Sequence, residues 1–156
     1  MIDFSNYLTN YGKEIGLPNL QFNEEGMCSL TFDSSIDVDI VYKKDLDLCI
    51  FASPIIDIPS TGQKNFFRRL LTENVFGIAT AGSTFGIEEE KNRIVLSYTF
   101  IASTFSFDLF KTVLGNFVDL VEEWKKKCED FQLDYESSSD DDISGTPFND
   151  MQFIRG

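Results

Sequence analysis

Apolar and polar residues repeat along this chain with two different periods, which together predict a mixed α+β fold. The apolar residues of the first segment have the spacing of one helix face: Phe4, Tyr7, Leu8, Tyr11 and Ile15. The GLP stretch at 16–18 ends this helix. Strand-like segments follow at 27–32, 35–43 and 46–53, and the middle one alternates apolar and polar residues. Their short connections predict an antiparallel meander.

The second half of the chain predicts two more helices around a hairpin. One helix begins after Pro59 and carries adjacent apolar pairs, FF at 66–67 and LL at 70–71. Segment 83–102 predicts two strands joined by a charged turn at 88–92. The last helix begins at Ser106 and carries one apolar stripe as far as Phe131. The predicted order is helix, three-strand antiparallel meander, helix, two-strand hairpin and C-terminal helix.

A change of composition near residue 134 divides the chain into a domain and a tail, both of them acidic. We expect residues 1–133 to form one domain, and residues 134–156 to form an acidic, mobile C-terminal tail. The apolar residues of that tail leave docking open as an alternative: Phe148, Met151, Phe153 and Ile154. The formal net charge of −13 argues against nucleic acid and anionic membranes as partners, so we expect a protein partner.

The composition removes most kinds of catalytic site. The 156 residues include no histidine, which is the commonest general base and metal ligand. The cysteines at 28, 49 and 128 are too far apart for a zinc motif, and we interpret them as reduced thiols of a cytosolic protein. No segment has the pattern of a signal peptide or a membrane span. We therefore expect neither catalysis nor a bound cofactor or metal.

The stretch GIATAGST at 77–84 has the glycine spacing of a phosphate-binding loop. Ser83 stands where that motif has lysine, and the order of elements is reversed. A phosphate loop follows a strand and opens a helix, whereas here a helix ends and a strand begins near Thr84. We interpret the glycines as a helix stop and a turn.

The second helix has apolar residues over a wider arc than one core-facing side requires. A helix of this kind is either buried deeply within its own chain or completed by a partner subunit. The sequence favours dimerisation but leaves both alternatives open. In addition, the predicted meander has open edges to which a partner strand can add.

Three stretches carry a resemblance to a known family. They are GLPNLQFNEEGMCSLTFD (16–33), FFRRLLTENVFGIATAGSTFGIEEEKNRIVLSY (66–98) and LGNFVDLVEEWKKKC (114–128). In their order and spacing, residues 1–131 resemble the class I type III secretion chaperones, the Tir-chaperone-like family. The segment from 134 onward lies outside this pattern.

The resemblance implies a non-catalytic homodimer in the bacterial cytoplasm. Such a chaperone binds the N-terminal segment of a secreted effector and keeps it soluble and competent for export. By position, the dimer interface would include Phe66, Phe67, Leu70, Leu71 and Val75. The client-binding residues would be Leu8, Tyr11, Leu17, Phe22, Leu30, Phe32, Val38 and Ile40.

A second hypothesis belongs to a different class of protein. An acidic regulatory adaptor that binds a folded resident protein has the same composition and the same lack of catalytic groups. The state of a co-purified partner, unfolded segment or folded protein, discriminates between the two hypotheses.

Overall fold

The computed structural model describes residues 4–137, and the side chains as far as residue 134. In chain order, its helices and strands are α1 (Ser5–Glu14), β1 (Met27–Phe32), β2 (Ile36–Lys43), β3 (Leu48–Asp57), α2 (Gln63–Glu73), β4 (Thr84–Glu88), β5 (Arg93–Ile101) and α3 (Phe107–Ser137). The predicted α+β class and order of elements are confirmed. The first four residues of the predicted tail continue α3, and the remainder of the tail lies outside the described residues.

The meander and the hairpin join into one antiparallel sheet of five strands, in the order β1-β2-β3-β5-β4. The joint is the pairing of β3 with β5, which runs from Leu48 opposite Ile101 to Asp57 opposite Arg93. The register shifts once, beside Pro54. Proline has no N–H to donate, so an irregularity at this point is expected.

The core lies between the sheet and the helices. Phe51 of β3 packs against aromatic rings of β5 and α3, with ring centroids 5.1 Å from Phe100, 5.9 Å from Phe110 and 5.8 Å from Phe117. Each such ring buries about 150–250 Å², so the phenylalanine content is used largely inside the domain. Within residues 4–137, no helix has the length and apolarity needed to cross a membrane.

The glycine-rich stretch after α2 forms a tight turn. A short 3₁₀ segment ends at Gly77, and the Gly82 N–H donates to the Gly77 carbonyl over 2.8 Å. Both glycines have positive φ, and a Cβ added to Gly77 would lie 3.2 Å from the Gly82 Cα. Strand β4 begins at Thr84, as the sequence predicted. A helix that ends before the turn aims no N-terminal N–H groups at it, so the turn does not form a phosphate loop.

Candidate protein-binding surfaces

Helix α2 presents apolar residues on two sides. Phe66 and Leu70 are buried in the core of their own chain, and Phe67 is half-buried. In contrast, Leu71 and Val75 are 65% and 54% exposed. Burial within one chain therefore explains only part of the apolar arc of this helix.

The exposed side of α2 continues into the following turn and strand. Phe76 is 92% exposed and Ile78 is 83% exposed, and Ile87 of β4 is also exposed. We call this surface the α2–β4 patch: Leu71, Val75, Phe76, Ile78 and Ile87. Sequence reasoning missed Phe76 and Ile78, which are apolar residues in or beside the turn, and Ile87 of β4. Exposed apolar clusters of this kind mark interaction surfaces.

An apolar pocket of about 250 Å³ opens beside this patch. Its lining comes from α2, β4 and β5: Phe67, Leu70, Leu71, Asn74, Phe85, Gly86, Ile87 and Ile94. None of these side chains is ionisable, in a chain with a net charge of −13. The pocket is therefore suited to an apolar side chain from another surface.

Asn74 fixes the position of β4 relative to α2. Its side-chain oxygen accepts the Phe85 N–H at 2.8 Å, and its side-chain NH₂ donates to the Phe85 carbonyl at 3.3 Å. The amide thus pairs with the edge of β4 as a neighbouring strand would. This bridge holds the two elements that form the pocket.

The residues predicted to bind a client are divided between the core and the surface. Four are buried within the chain, which corrects the expectation that they are available to a partner: Leu8, Leu30, Val38 and Ile40. The alternation in β2 is real, but its apolar side faces the helices. Its other side carries Asp37, Asp39 and Val41, and both carboxylates accept hydroxyl hydrogen bonds from β1.

The other four predicted client-binding residues lie closer to solvent. Leu17 is 48% exposed, and Tyr11, Phe22 and Phe32 are half-buried. Leu17 and Tyr11 belong to the end of α1 and the turn after it, whereas Phe32 lies at the far end of β1. The structure therefore leaves these four residues on more than one part of the surface.

A groove of about 820 Å³ lies between α1, segment 21–26 and the connection from β2 to β3. On its lining, the rings of Phe22 and Tyr42 are 5.8 Å apart, and Leu46 is 67% exposed. We call it the α1 groove. Leu46 was predicted to be the first apolar residue of the third strand, but it ends a 3₁₀ turn (Lys44–Leu46), so its side chain faces solvent.

The α1 groove carries charges of both signs. Its lining includes Glu24, Glu25 and Asp45 together with Lys43 and Lys44. A long peptide that crosses this groove can therefore place apolar side chains between the two signs of charge. Such a mixture favours an amphipathic partner over a purely apolar one.

The free edge of β1 is closed at its first residue. The Asn23 N–H donates to the Met27 carbonyl, and the Met27 N–H donates to the Asn23 side-chain oxygen, both over 2.8 Å. A partner strand cannot use those two groups while Asn23 holds them. Strand addition at this edge has to begin further along β1.

The remaining edge groups of β1 can be assigned from its pairing with β2. The Tyr42 N–H donates to the Gly26 carbonyl at 2.7 Å. This bond fixes which residues of β1 direct their backbone N–H and C=O groups toward β2 and which direct them outward, since the two kinds alternate along the strand. In an antiparallel pair with this phase, the backbone groups of Ser29 and Thr31 point away from β2. Within the described residues β1 is an edge strand, so these groups face outward.

The cysteine thiols are inside the protein. All three are buried and free, and burial raises the pKa of Cys49 and of Cys128 to about 12. A thiol with so high a pKa is protonated near neutral pH and is a poor nucleophile. Among residues 4–137, no group of three or more histidine, cysteine or acidic residues could hold a metal ion.

A five-stranded antiparallel sheet with helices on one face, exposed apolar surfaces and an open edge forms an α+β domain whose surfaces suit protein binding. The chain belongs to the Tir chaperone protein (CesT) family, whose pattern matches residues 6–125. The resemblance inferred from the sequence is therefore confirmed.

One relative from Pseudomonas aeruginosa, the transcriptional anti-antiactivator ExsC, is 27% identical over 119 residues, which are 76% of this chain and 81% of that protein. The crystal structure of the ExsC–ExsE complex covers 78% of this chain and 90% of that chain, at 24% identity and a TM-score of 0.70. The Yersinia pestis type III secretion chaperone SycH, in complex with a fragment of YscM2, gives a TM-score of 0.60 at 19% identity, covering 78% of this chain and 99% of that one. Both structural likenesses concern the fold.

Proposed function

We propose that this protein is a non-catalytic type III secretion chaperone of the bacterial cytoplasm. It binds the N-terminal segment of a secreted effector as a homodimer and keeps that segment soluble and competent for export. Family membership over residues 6–125 carries this proposal. The exposed apolar surfaces support it, because they offer binding area without any catalytic group.

The α2–β4 patch is the proposed dimer interface. Leu71 and Val75 contribute directly, and Phe67 lines the apolar pocket beside them. Phe66 and Leu70 support the interface from the core, because they hold α2 against the sheet. The absence of ionisable side chains from the pocket lets two acidic chains approach each other there.

The α1 groove and the open edge of β1 form the proposed client-binding surface. Phe22 and Leu46 supply apolar contacts in the groove and Phe32 lies on β1. Tyr11 and Leu17 extend this surface along the end of α1 and the turn after it. The backbone groups of Ser29 and Thr31 can pair with an extended client segment. Leu8, Leu30, Val38 and Ile40 act only through the core that positions these contacts.

Co-expression with N-terminal segments of secreted proteins tests this proposal. The complex should contain two copies of this chain, and proteolysis should show that the bound segment is not independently folded. The double variant Leu17→Asp/Leu46→Asp should weaken binding at least about tenfold, because each change removes an apolar contact of about 1.5 kcal/mol or more. Leu133→Asp, at a 65% exposed position near the end of α3, is the matched control. Equal binding by the double variant and the control would contradict the proposed client surface.

A second candidate is a regulatory adaptor. The 27% identity with an anti-antiactivator favours it, since that protein's name places it in transcriptional control. In this case the partner retained from the native host would be a folded resident regulator. Deleting the gene would then change transcription of the secretion genes even when every effector gene is absent, whereas a dedicated effector chaperone would leave it unchanged.

A further inference from the structure

Phe76 has an unusual backbone and an unusual environment. Its φ and ψ are 60° and 0°, in the left-handed region, and its side chain is 92% exposed. For a bulky residue this conformation costs on the order of 1–3 kcal/mol, and such strain clusters at functional positions. An apolar ring that is exposed at this cost indicates a contact outside the chain's own core.

Backbone hydrogen bonds fix the turn that contains Phe76. The Gly77 N–H donates to the Asn74 carbonyl at 3.2 Å, and the Gly82 N–H donates to the Gly77 carbonyl at 2.8 Å. Asn74 is itself fixed to the backbone of Phe85. The position of Phe76 therefore follows from a hydrogen-bonded turn.

The apolar pocket begins close to Phe76 in the chain. The apolar pocket of about 250 Å³ has Asn74 in its lining, two residues before Phe76, but Phe76 itself does not line it. Phe76 is thus exposed within two residues of the pocket lining. When two copies meet about a two-fold axis, each presents the same surface to the other, so each ring can enter the opposite pocket.

The charge of the site is compatible with a second copy of this chain. With a net charge of −13, two copies repel except where acidic side chains are absent. The pocket lining contains no ionisable side chain. We propose that Phe76 of each copy inserts into the apolar pocket of the other, so that the strained turn after α2 latches the dimer. This inference rests on the dimer of the proposed function and names its central contact.

Phe76→Gly tests the latch, because glycine adopts positive φ without strain and the folded monomer should lose no stability. The dimer dissociation constant, measured by sedimentation over a concentration series, should rise at least about 100-fold, since two buried aromatic rings are lost per dimer. Unfolding followed by the fluorescence of the single tryptophan should show a monomer that is no less stable. Leu133→Ala, which removes an exposed apolar side chain outside the patch, should leave the dissociation constant unchanged.

Ile87→Ala then tests the pocket. If the ring of one copy meets Ile87 of the other, the effects of Phe76→Gly and Ile87→Ala should be less than additive in the double variant. Strict additivity, or a dimer whose dissociation constant stays within about threefold of wild type in Phe76→Gly, would overturn the latch and leave the proposed dimer intact. A wild-type protein that is monomeric at micromolar concentration would instead overturn the proposed dimer, and the latch with it.

Discussion

The side chain of Asn74 is the most specific link between the helix and the edge strand that form the α2–β4 patch. It accepts the Phe85 N–H at 2.8 Å and donates to the Phe85 carbonyl at 3.3 Å. Asn74→Ala removes both hydrogen bonds and leaves the backbone of α2 unchanged. We expect this substitution to destabilise the fold and to loosen β4.

The magnitude follows from the surroundings of the two bonds. A hydrogen bond contributes about 0.5–1.5 kcal/mol net, and a buried group left without a partner costs about 1–3 kcal/mol. Phe85 is buried but Asn74 is only half-buried, so water can reach one side of the bridge. The expected loss in the free energy of unfolding is therefore about 2 kcal/mol, rather than the sum of two full penalties.

Urea unfolding at one fixed protein concentration measures this loss, since a dimer's apparent stability depends on concentration. The ring of the single tryptophan, Trp124, lies 4.9 Å from that of Phe85, so its fluorescence reports on the affected region. Asn116→Ala, at an exposed asparagine in α3, is the control and should change the free energy of unfolding by less than about 0.5 kcal/mol. An Asn74→Ala protein within that same range, with the Phe85 amide still protected from hydrogen exchange, would refute this reasoning.

Two further predictions concern ionisation. Hydrogen bonds from Arg93 and Lys91 lower the pKa of Glu88 below its ordinary value of 4.5. The contribution of ionised Glu88 to the free energy of unfolding is therefore fully present above pH 4.5 and is lost as the pH falls through the lowered pKa. The difference in the free energy of unfolding between wild type and Glu88→Gln should shrink as the pH falls through the lowered pKa, and a difference independent of pH would contradict the ion pairs. Because burial raises the pKa of Cys49 and Cys128 to about 12, a thiol reagent at pH 8 should label neither in the native protein and both in urea. Rapid native labelling, measured by mass spectrometry, would show that the thiols are accessible.

Hydrophobic periodicity predicted the elements because each amphipathic segment is a local pattern. It did not predict the pairing of β3 with β5, which joins residues from 36 (Asp57 with Arg93) to 53 (Leu48 with Ile101) positions apart in the chain. The periodicity of β2 also could not tell whether its apolar side meets the chain's own helices or a partner. Val38 and Ile40 are buried because α3 covers that side of the sheet, a contact that depends on the whole fold.

The sequence identified surface residues only where the apolar residues it assigned to an interface are also exposed in the folded chain. Leu71 and Val75 were expected at an interface and are exposed. Leu46 was missed because a 3₁₀ turn replaces the start of the predicted strand. Phe76 was missed for a different reason: the sequence assigned the turn to Gly77, and nothing in a phenylalanine indicates that its own φ will be positive.

The paired apolar residues of α2 show how one helix serves two environments. Neighbouring residues on an α-helix point about 100° apart, so Phe66 and Phe67 cannot share one face. Phe66 and Leu70, four residues apart, are both buried in the core, whereas Phe67 and Leu71, also four apart, are less buried and line the pocket, to which Leu70 also contributes. Two apolar stripes offset by one residue therefore indicate a helix that lies between its own sheet and a second apolar surface. A second acidic copy can approach only where acidic side chains are absent, and the pocket beside the α2–β4 patch, whose lining has no ionisable side chain, meets this requirement.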